Sequence, residues 1–271
     1  MMPIPDSGWL LFPVAGALAG FLAGLLGIGG GMIIVPALIF SFHAHGVPAE
    51  VMTHLAVGTS LASIVLTAIS SVRTHHRKGG VDWPLLTRLA PALVVGSLLG
   101  AQIAHALPAR LLQIVIGVFA VHTGLQMLRV RKPIGSVSPA LPGTPALLRG
   151  GTFIGAASAI FGIGGGSLMV PYLSRHGVPM QRAVGTAAAC GFPIALAGSI
   201  GFVISGWGEP GLPAGSTGYL YWPALAGIAV TSIVFAHLGA VAAHRLPAAT
   251  LKRAFGVLLM LVGARFLIGI H

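Results

Sequence analysis

"GLLGIGGGMIIVP" at residues 24–36 and "SAIFGIGGGSLMVP" at 158–171 state one phrase twice. Gly27–Gly31 and Gly162–Gly166 both read GIGGG, and Pro36 and Pro171 each follow five residues after the last glycine. Two chemistries use such glycine-rich turns, phosphate cradling and helix breaking. A Walker A loop needs G-x-x-x-x-G-K-[ST], but Met32 and Ser167 follow the glycines here and no lysine is near. A dinucleotide fingerprint needs an acid about 20 residues on. The first copy offers only Glu50, across a proline-bearing turn. That leaves helix breaking. Successive glycines weaken a helix because each lacks a packing side chain and is conformationally free, and a proline removes an amide donor.

Composition gives the solvent. The 271 residues are 55% hydrophobic and 7% charged, with a mean hydropathy of +0.94, whereas soluble domains carry about 25% charged residues. Fifteen Lys/Arg and four Asp/Glu cannot cover a soluble protein of this size, so the chain reads as a multi-pass membrane protein in a lipid bilayer. The basic residues flank apolar runs, where they set orientation. They form no stripe interleaved with aromatics, which excludes nucleic acid. Cys190 is the sole cysteine, so there is neither an intrachain disulfide nor a thiolate metal cluster. The opening "MMPIPDSGWLLFPVAG" lacks a positive n-region and an A-x-A site and reads as a first membrane element, not a cleaved signal.

Apolar runs fall at about 9–26, 32–43, 51–72, 83–104, 108–129, 147–161, 167–175, 180–206, 219–243 and 248–270. A crossing takes about 20 apolar residues, which six of these runs supply; those beside each GIGGG are shorter. Further phrases recur in order: HGVP at 45–48 and 176–179, VGT at 57–59 and 184–186, WP at 83–84 and 222–223. LGAQIAHALPA at 99–109 returns as LGAVAAHRLPA at 238–248. The chain therefore divides into a first membrane repeat, 1–130, a basic cytoplasmic linker, 131–146, and a second membrane repeat, 147–271.

Charge decides how each GIGGG region sits. If each made a single crossing, the basic residues would divide almost evenly between the two sides. If each goes in and returns as a broken helical hairpin, twelve share one face: Arg73, Arg77, Lys78, Arg129, Arg131, Lys132, Arg149, Arg175, Arg182, Arg245, Lys252 and Arg253. Only Arg110 then lies in a loop on the other. The positive-inside rule selects the second arrangement. The expected fold is thus an all-α polytopic membrane protein of two inverted-topology repeats. Each has a glycine/proline-broken hairpin followed by three transmembrane helices, and both termini lie outside.

Broken backbone in hydrocarbon must face protein or a water-lined cavity, and a half-helix terminus there offers free N–H groups and partial positive charge. No intramembrane carboxylate waits for a cation, so the natural ligand is a small anion. The substrate-lining candidates are Gly27, Gly29, Gly30, Gly31, Gly162, Gly164, Gly165 and Gly166, with Pro36 and Pro171 as helix-break candidates. Thr59, Ser60 and Thr186 could offer hydroxyls to an anion, or back-bond to their own helices. Cys190, four residues after Thr186, falls on the same helix face or is a small buried hydrophobe. Close helix packing is the alternative role for the glycines. Arg88 and Arg265 lie near helix ends, where such side chains snorkel. His54, His105, His122, His237 and His244 are scattered and form no metal set. There is no catalytic constellation, metal site or cofactor, so the chain does not read as an enzyme.

Two halves led by GIGGG…(V)P, with GT in the next helix ("GTS" at 58–60, "GTA" at 185–187) and LP in the closing one, resemble the TauE/SafE-type sulfite exporter family over nearly the whole chain. That resemblance implies a secondary transporter in the bacterial inner membrane. It implies movement of sulfite, a sulfonate or a related organosulfur anion by alternating access, with a proton or ion gradient as candidate coupling. Alanine stands at 187 where the first copy has Ser60, so the two copies would not contribute equal ligands. A passive anion channel and an accessory membrane subunit are the other classes.

Overall fold

The computed structural model describes residues 11–26, 31–128, 143–243 and 248–269. Over these the chain is almost wholly helical. The helices are α1 (Leu11–Leu26), α2 (Gly31–Ala44), α3 (Ala49–Arg77), α4 (Trp83–Ala106), α5 (Ala109–Leu128), α6 (Thr144–Phe161), α7 (Gly166–Arg175), α8 (Met180–Ser205), α9 (Trp222–Ala243) and α10 (Ala248–Ile268). A two-residue antiparallel ladder, β1 (Ser216–Thr217) with β2 (Leu220–Tyr221), precedes α9. Among the described residues, α3, α4, α5 and α8 are long and apolar enough to cross a membrane. The chain is an all-α polytopic membrane protein.

Local chemistry sets the helix limits. Asp82 caps α4, its carboxylate accepting the Leu85 N–H at 3.1 Å, with Pro84 in the first turn where a missing donor costs nothing. α6 begins at Thr144, three residues before the apolar run, because Pro145 likewise fits its first turn. It ends where Gly162 takes a left-handed φ of 64°. Pro36 and Pro171 were expected to break helices, but they lie inside α2 and α7, which continue through them. Each proline removes one N–H near its helix start, which one turn of helix tolerates. In the second copy the chain leaves helical geometry at the glycines.

Helices from the two sequence copies pack against each other crosswise. α1 lies along α9, α4 along α6, α5 along α10, and α3 along α8 at the centre. Apolar contact between helices drives little association in lipid, so small residues that let backbones approach become the glue. Gly16 and Gly20 of α1 meet the backbone of Ile228 and Ser232, while Gly96 and Gly100 of α4 meet that of Thr152 and Ala156. Gly117 and Gly124 of α5 face Gly263 and Gly256 of α10.

The repeated VGT phrase fixes the register of this crosswise packing. Thr59 Oγ1 accepts the Tyr221 N–H at 3.0 Å, and Thr186 Oγ1 accepts the Asp82 N–H at 2.9 Å. Tyr221 and Asp82 each stand immediately before a Trp-Pro pair. A Cβ on Gly58 would run into the Tyr219 carbonyl, and one on Gly185 into the Gly80 carbonyl. Each copy's Gly-Thr step thus docks the loop before the other copy's Trp-Pro helix.

The two contacts lie toward opposite ends of α3. Near its start, His54 Nε2 donates to the Ala104 and Leu107 carbonyls at 2.9 and 3.2 Å, and its ring stacks on Tyr219. The Tyr219 phenol, pushed up to about 12 by burial and by Glu209, shares a hydrogen bond with His105 Nδ1 at 3.2 Å. Toward the other end, Arg182 pairs with Asp82 at 3.3 Å. The two largest apolar clusters divide accordingly. One cluster gathers Phe12, Phe42, Leu55, Tyr221 and Phe266; the other gathers Leu89, Leu93, Met169, Leu173 and Cys190.

Gly58→Ala and Gly185→Ala should each cost about 1–3 kcal/mol, as overpacking does. Thr59→Val should cost a similar ~1–3 kcal/mol by stranding a buried N–H, and Thr186→Val less, because the Asp82 N–H is only part-buried. The measurement is the thermal midpoint of the purified, detergent-solubilised protein. An unchanged midpoint for Gly58→Ala would rule out the close approach to Tyr219.

Candidate functional site

Gly31, the last glycine of the first phrase, meets the second phrase at Gly162, between α6 and α7 and beside α3. α6 closes with the Gly162 N–H on the Ala159 carbonyl and the Ile163 N–H on the Ser158 carbonyl, at 3.2 and 3.0 Å. The freed Gly162 carbonyl is taken by Ser60 Oγ, which donates to it at 2.9 Å. That carbonyl also lies against Gly31, where a Cβ would collide with it and with the Ile163 backbone. A break in one copy is therefore covered by the other copy's glycine and by the serine of its GTS step. This is the protein shielding that non-helical backbone needs in a membrane.

Beyond the break, Gly165 stands at the N-cap of α7, and the first α7 bond runs from the Met169 N–H to the Gly165 carbonyl at 2.8 Å. A Cβ on Gly165 would lie 3.1–3.3 Å from Ile194 Cδ1, the Ala187 carbonyl and the Gly191 N–H. Gly164 is roomier, with Ile64 Cγ2 at 3.4 Å as its nearest neighbour. Gly166 opens α7. Two hydroxyls on either side of the break have no protein partner: Ser158 Oγ, in a fully buried residue of the last turn of α6, and Ser167 Oγ, in the first turn of α7. Sequence reasoning missed Ser158, although it is the first residue of the quoted second phrase.

The remaining candidates separate from this joint. Gly27, Gly29 and Gly30 lie outside the described residues. Thr59 and Thr186 are fully buried, and their oxygens accept the inter-copy amides described above. Cys190 is buried in the apolar cluster around Met169 and Ile194. Arg265 lies over the Phe40 ring, 4.6 Å from its centroid, a cation–π contact. Among the described residues, no three His, Cys, Asp or Glu side chains gather as a metal site. Among the described residues, the arrangement places backbone amides and hydroxyls, and no carboxylate, at the central break.

Comparison with known proteins agrees with this architecture. Residues 12–266 match the family described as sulfite exporter TauE/SafE. A "Probable membrane transporter protein" of Haemophilus influenzae is 38% identical over 254 residues, covering 93% of this chain and 96% of that protein. One from Methanocaldococcus jannaschii is 30% identical over 78% of this chain and 76% of its own length. YunE of Bacillus subtilis, another "Probable membrane transporter protein", is 29% identical over 73% of this chain and 79% of its own. No solved structure matches the chain. The chain belongs to the TauE/SafE family, and it is a membrane transporter.

Proposed function

We propose that the protein is a secondary transporter of a small oxyanion, of the sulfite or sulfonate class, in the bacterial inner membrane. The observation that carries this reading is the central joint, where Gly31 and Ser60 of the first copy close over the Gly162 break of the second. Next to it, the α7 start offers N–H donors and partial positive charge, and the unpartnered Ser158 and Ser167 hydroxyls can donate as well. The family description, sulfite exporter, names the chemical class such a site would select.

The mechanism in this reading is alternating access, with one inverted repeat moving against the other around the joint. Gly27–Gly31 and Gly162–Gly166 line the passage as it opens, and Thr59, Thr186 and Cys190 border it. The return of each broken hairpin to its own side is supported by contacts between its ends. Phe12 at the start of α1 stacks on His45 beyond the end of α2, and Tyr172 of α7 lies over Gly150 of α6. Arg182 meets Asp82 beside the turn after Arg77 and Lys78, which supports one basic face. The linker 131–146 lies on that cytoplasmic face, and both termini lie outside.

The decisive experiment is flux into sealed proteoliposomes across sulfite, thiosulfate, small sulfonates, sulfate, acetate and chloride, each with and without a proton gradient. Saturable movement of a sulfur oxyanion is expected; absence of any flux in folded, inserted protein overturns the substrate reading. Gly165→Val, a stiff branched side chain placed in the tight joint, should lower flux at least tenfold while insertion is retained. Gly164→Ala, with ordinary contact space, should keep most of it. Equal flux in wild type and Gly165→Val would remove the glycines from the passage. For topology, a periplasm-active reporter at the C-terminus should be active and a cytoplasm-active one inserted in 131–146 should be active. The reverse pattern would invert the assignment.

A further inference from the structure

At the end of the molecule that holds the α2–α3 and α4–α5 turns, a cavity of about 320 Å³ opens away from the central joint. His43, Val47, Met52, Thr53, Arg110 and Gln113 line it. Its cation is held in place. One terminal nitrogen of Arg110 donates to Gln113 Oε1 at 3.1 Å and to the Phe266 carbonyl at 2.8 Å, and the other to the Leu267 carbonyl at 3.0 Å. All three acceptors are neutral. Among the described residues the one ion pair is Arg182–Asp82, so no described carboxylate neutralises Arg110. The C-terminal carbonyls of α10 present about half a negative charge, so among the described residues Arg110 keeps roughly half a unit of positive charge.

The polar lining is also biased toward donation. A guanidinium carries five N–H donors; the three bonds above leave two for a ligand. Because Gln113 Oε1 accepts from Arg110, its amide is oriented and its NH2 end remains a donor. Gln113 and Thr53 are both buried residues, at 6% and 3% exposure, so their polar ends are held by the cavity wall and do not sweep through solvent. Val47 and Met52 supply an apolar side. A fixed fork, an amide NH2 and a hydroxyl beside apolar wall suit a small oxyanion with a short organic tail.

We propose that this cavity is a second anion site, selective for small sulfonates, distinct from the central joint and positioned at the mouth of the molecule on the Arg110 side. It rests on the small-oxyanion reading above and places the first capture of that anion at Arg110, with weak affinity because the guanidinium is exposed to water.

The test uses thiol labelling in the full-length protein and needs no transport. In a Cys190→Ala background, Ala49→Cys, at an exposed residue of the lining, puts one thiol at the cavity without touching its polar groups. Its reaction with a sulfonate-bearing methanethiosulfonate is compared with that of the quaternary-ammonium analogue. The sulfonate reagent should react at least fivefold faster relative to its rate on a free thiol. Methanesulfonate should protect more than chloride at equal ionic strength. Arg110→Gln should abolish both effects, and Gln113→Leu, which leaves the bonds to Phe266 and Leu267 intact, should reduce them severalfold with the fold preserved. Equal normalised rates for the two reagents, or equal protection by methanesulfonate and chloride, would overturn the site. Flux failing in proteoliposomes while this selectivity persists would sink the transport reading alone.

Discussion

The constraint on which everything else rests is that hydrocarbon offers no partner to a bare peptide carbonyl or amide. A helix may stop inside the membrane only where other parts of the chain take over its hydrogen bonds. At Gly162 the left-handed turn uses two intrahelical-type bonds, to Ala159 and Ser158, and Ser60 supplies a third contact from across the molecule. The approach is close enough that Gly31 tolerates no side chain. Both the repeated glycines and the serine of the GTS step answer to that one requirement. The chain carries 40 glycines, and those on the helix faces do related work, since they let backbones approach where apolar burial gives little drive.

The crosswise pairing of the copies follows from the same economy of polar groups. The loops ahead of Trp83 and Trp222 must enter the molecule to start α4 and α9, and each brings an amide needing an acceptor. A threonine on the opposite copy provides it, beside a glycine that makes room for the neighbouring carbonyl. The two junctions differ in their surroundings. Asp82 adds a carboxylate that caps α4 and pairs with Arg182. The Tyr221 junction instead leans on aromatic contact with Phe12 and Phe42. One junction is polar and charged, the other apolar. The same backbone device therefore answers differently to salt and to lipid at its two ends.

Much of this was legible in the residues. The ten apolar runs foretell ten helices, with limits differing from the observed ones by a few residues, because hydrophobic length is a strong signal in a chain with so few charges. The family resemblance, built on ordered phrases, also held. Three things were hidden. The partners of Thr59 and Thr186 lie 162 and 104 positions away, so no local pattern announces them. The β1–β2 ladder is two residues per strand and depends on Gly215 and Gly218 at φ 88° and 55°, geometry that composition does not encode. Pro36 and Pro171 look like breakers on paper, yet a proline early in a helix forfeits a single bond, whereas three glycines in a row forfeit the tendency to be helical at all.

The pairing of α1 with α9 has a consequence for how the protein is born. α1 leaves the ribosome well before α9, the helix that receives its Gly16–Gly20 face, with α2 to α8 made in between. Until then α1 has only part of its final neighbourhood. α4 also waits, since Gly96 and Gly100 are matched by α6, across the linker. The helices made earlier must therefore reside in the bilayer as an unfinished surface, with their tightest joints completed only when α6 and α9 follow.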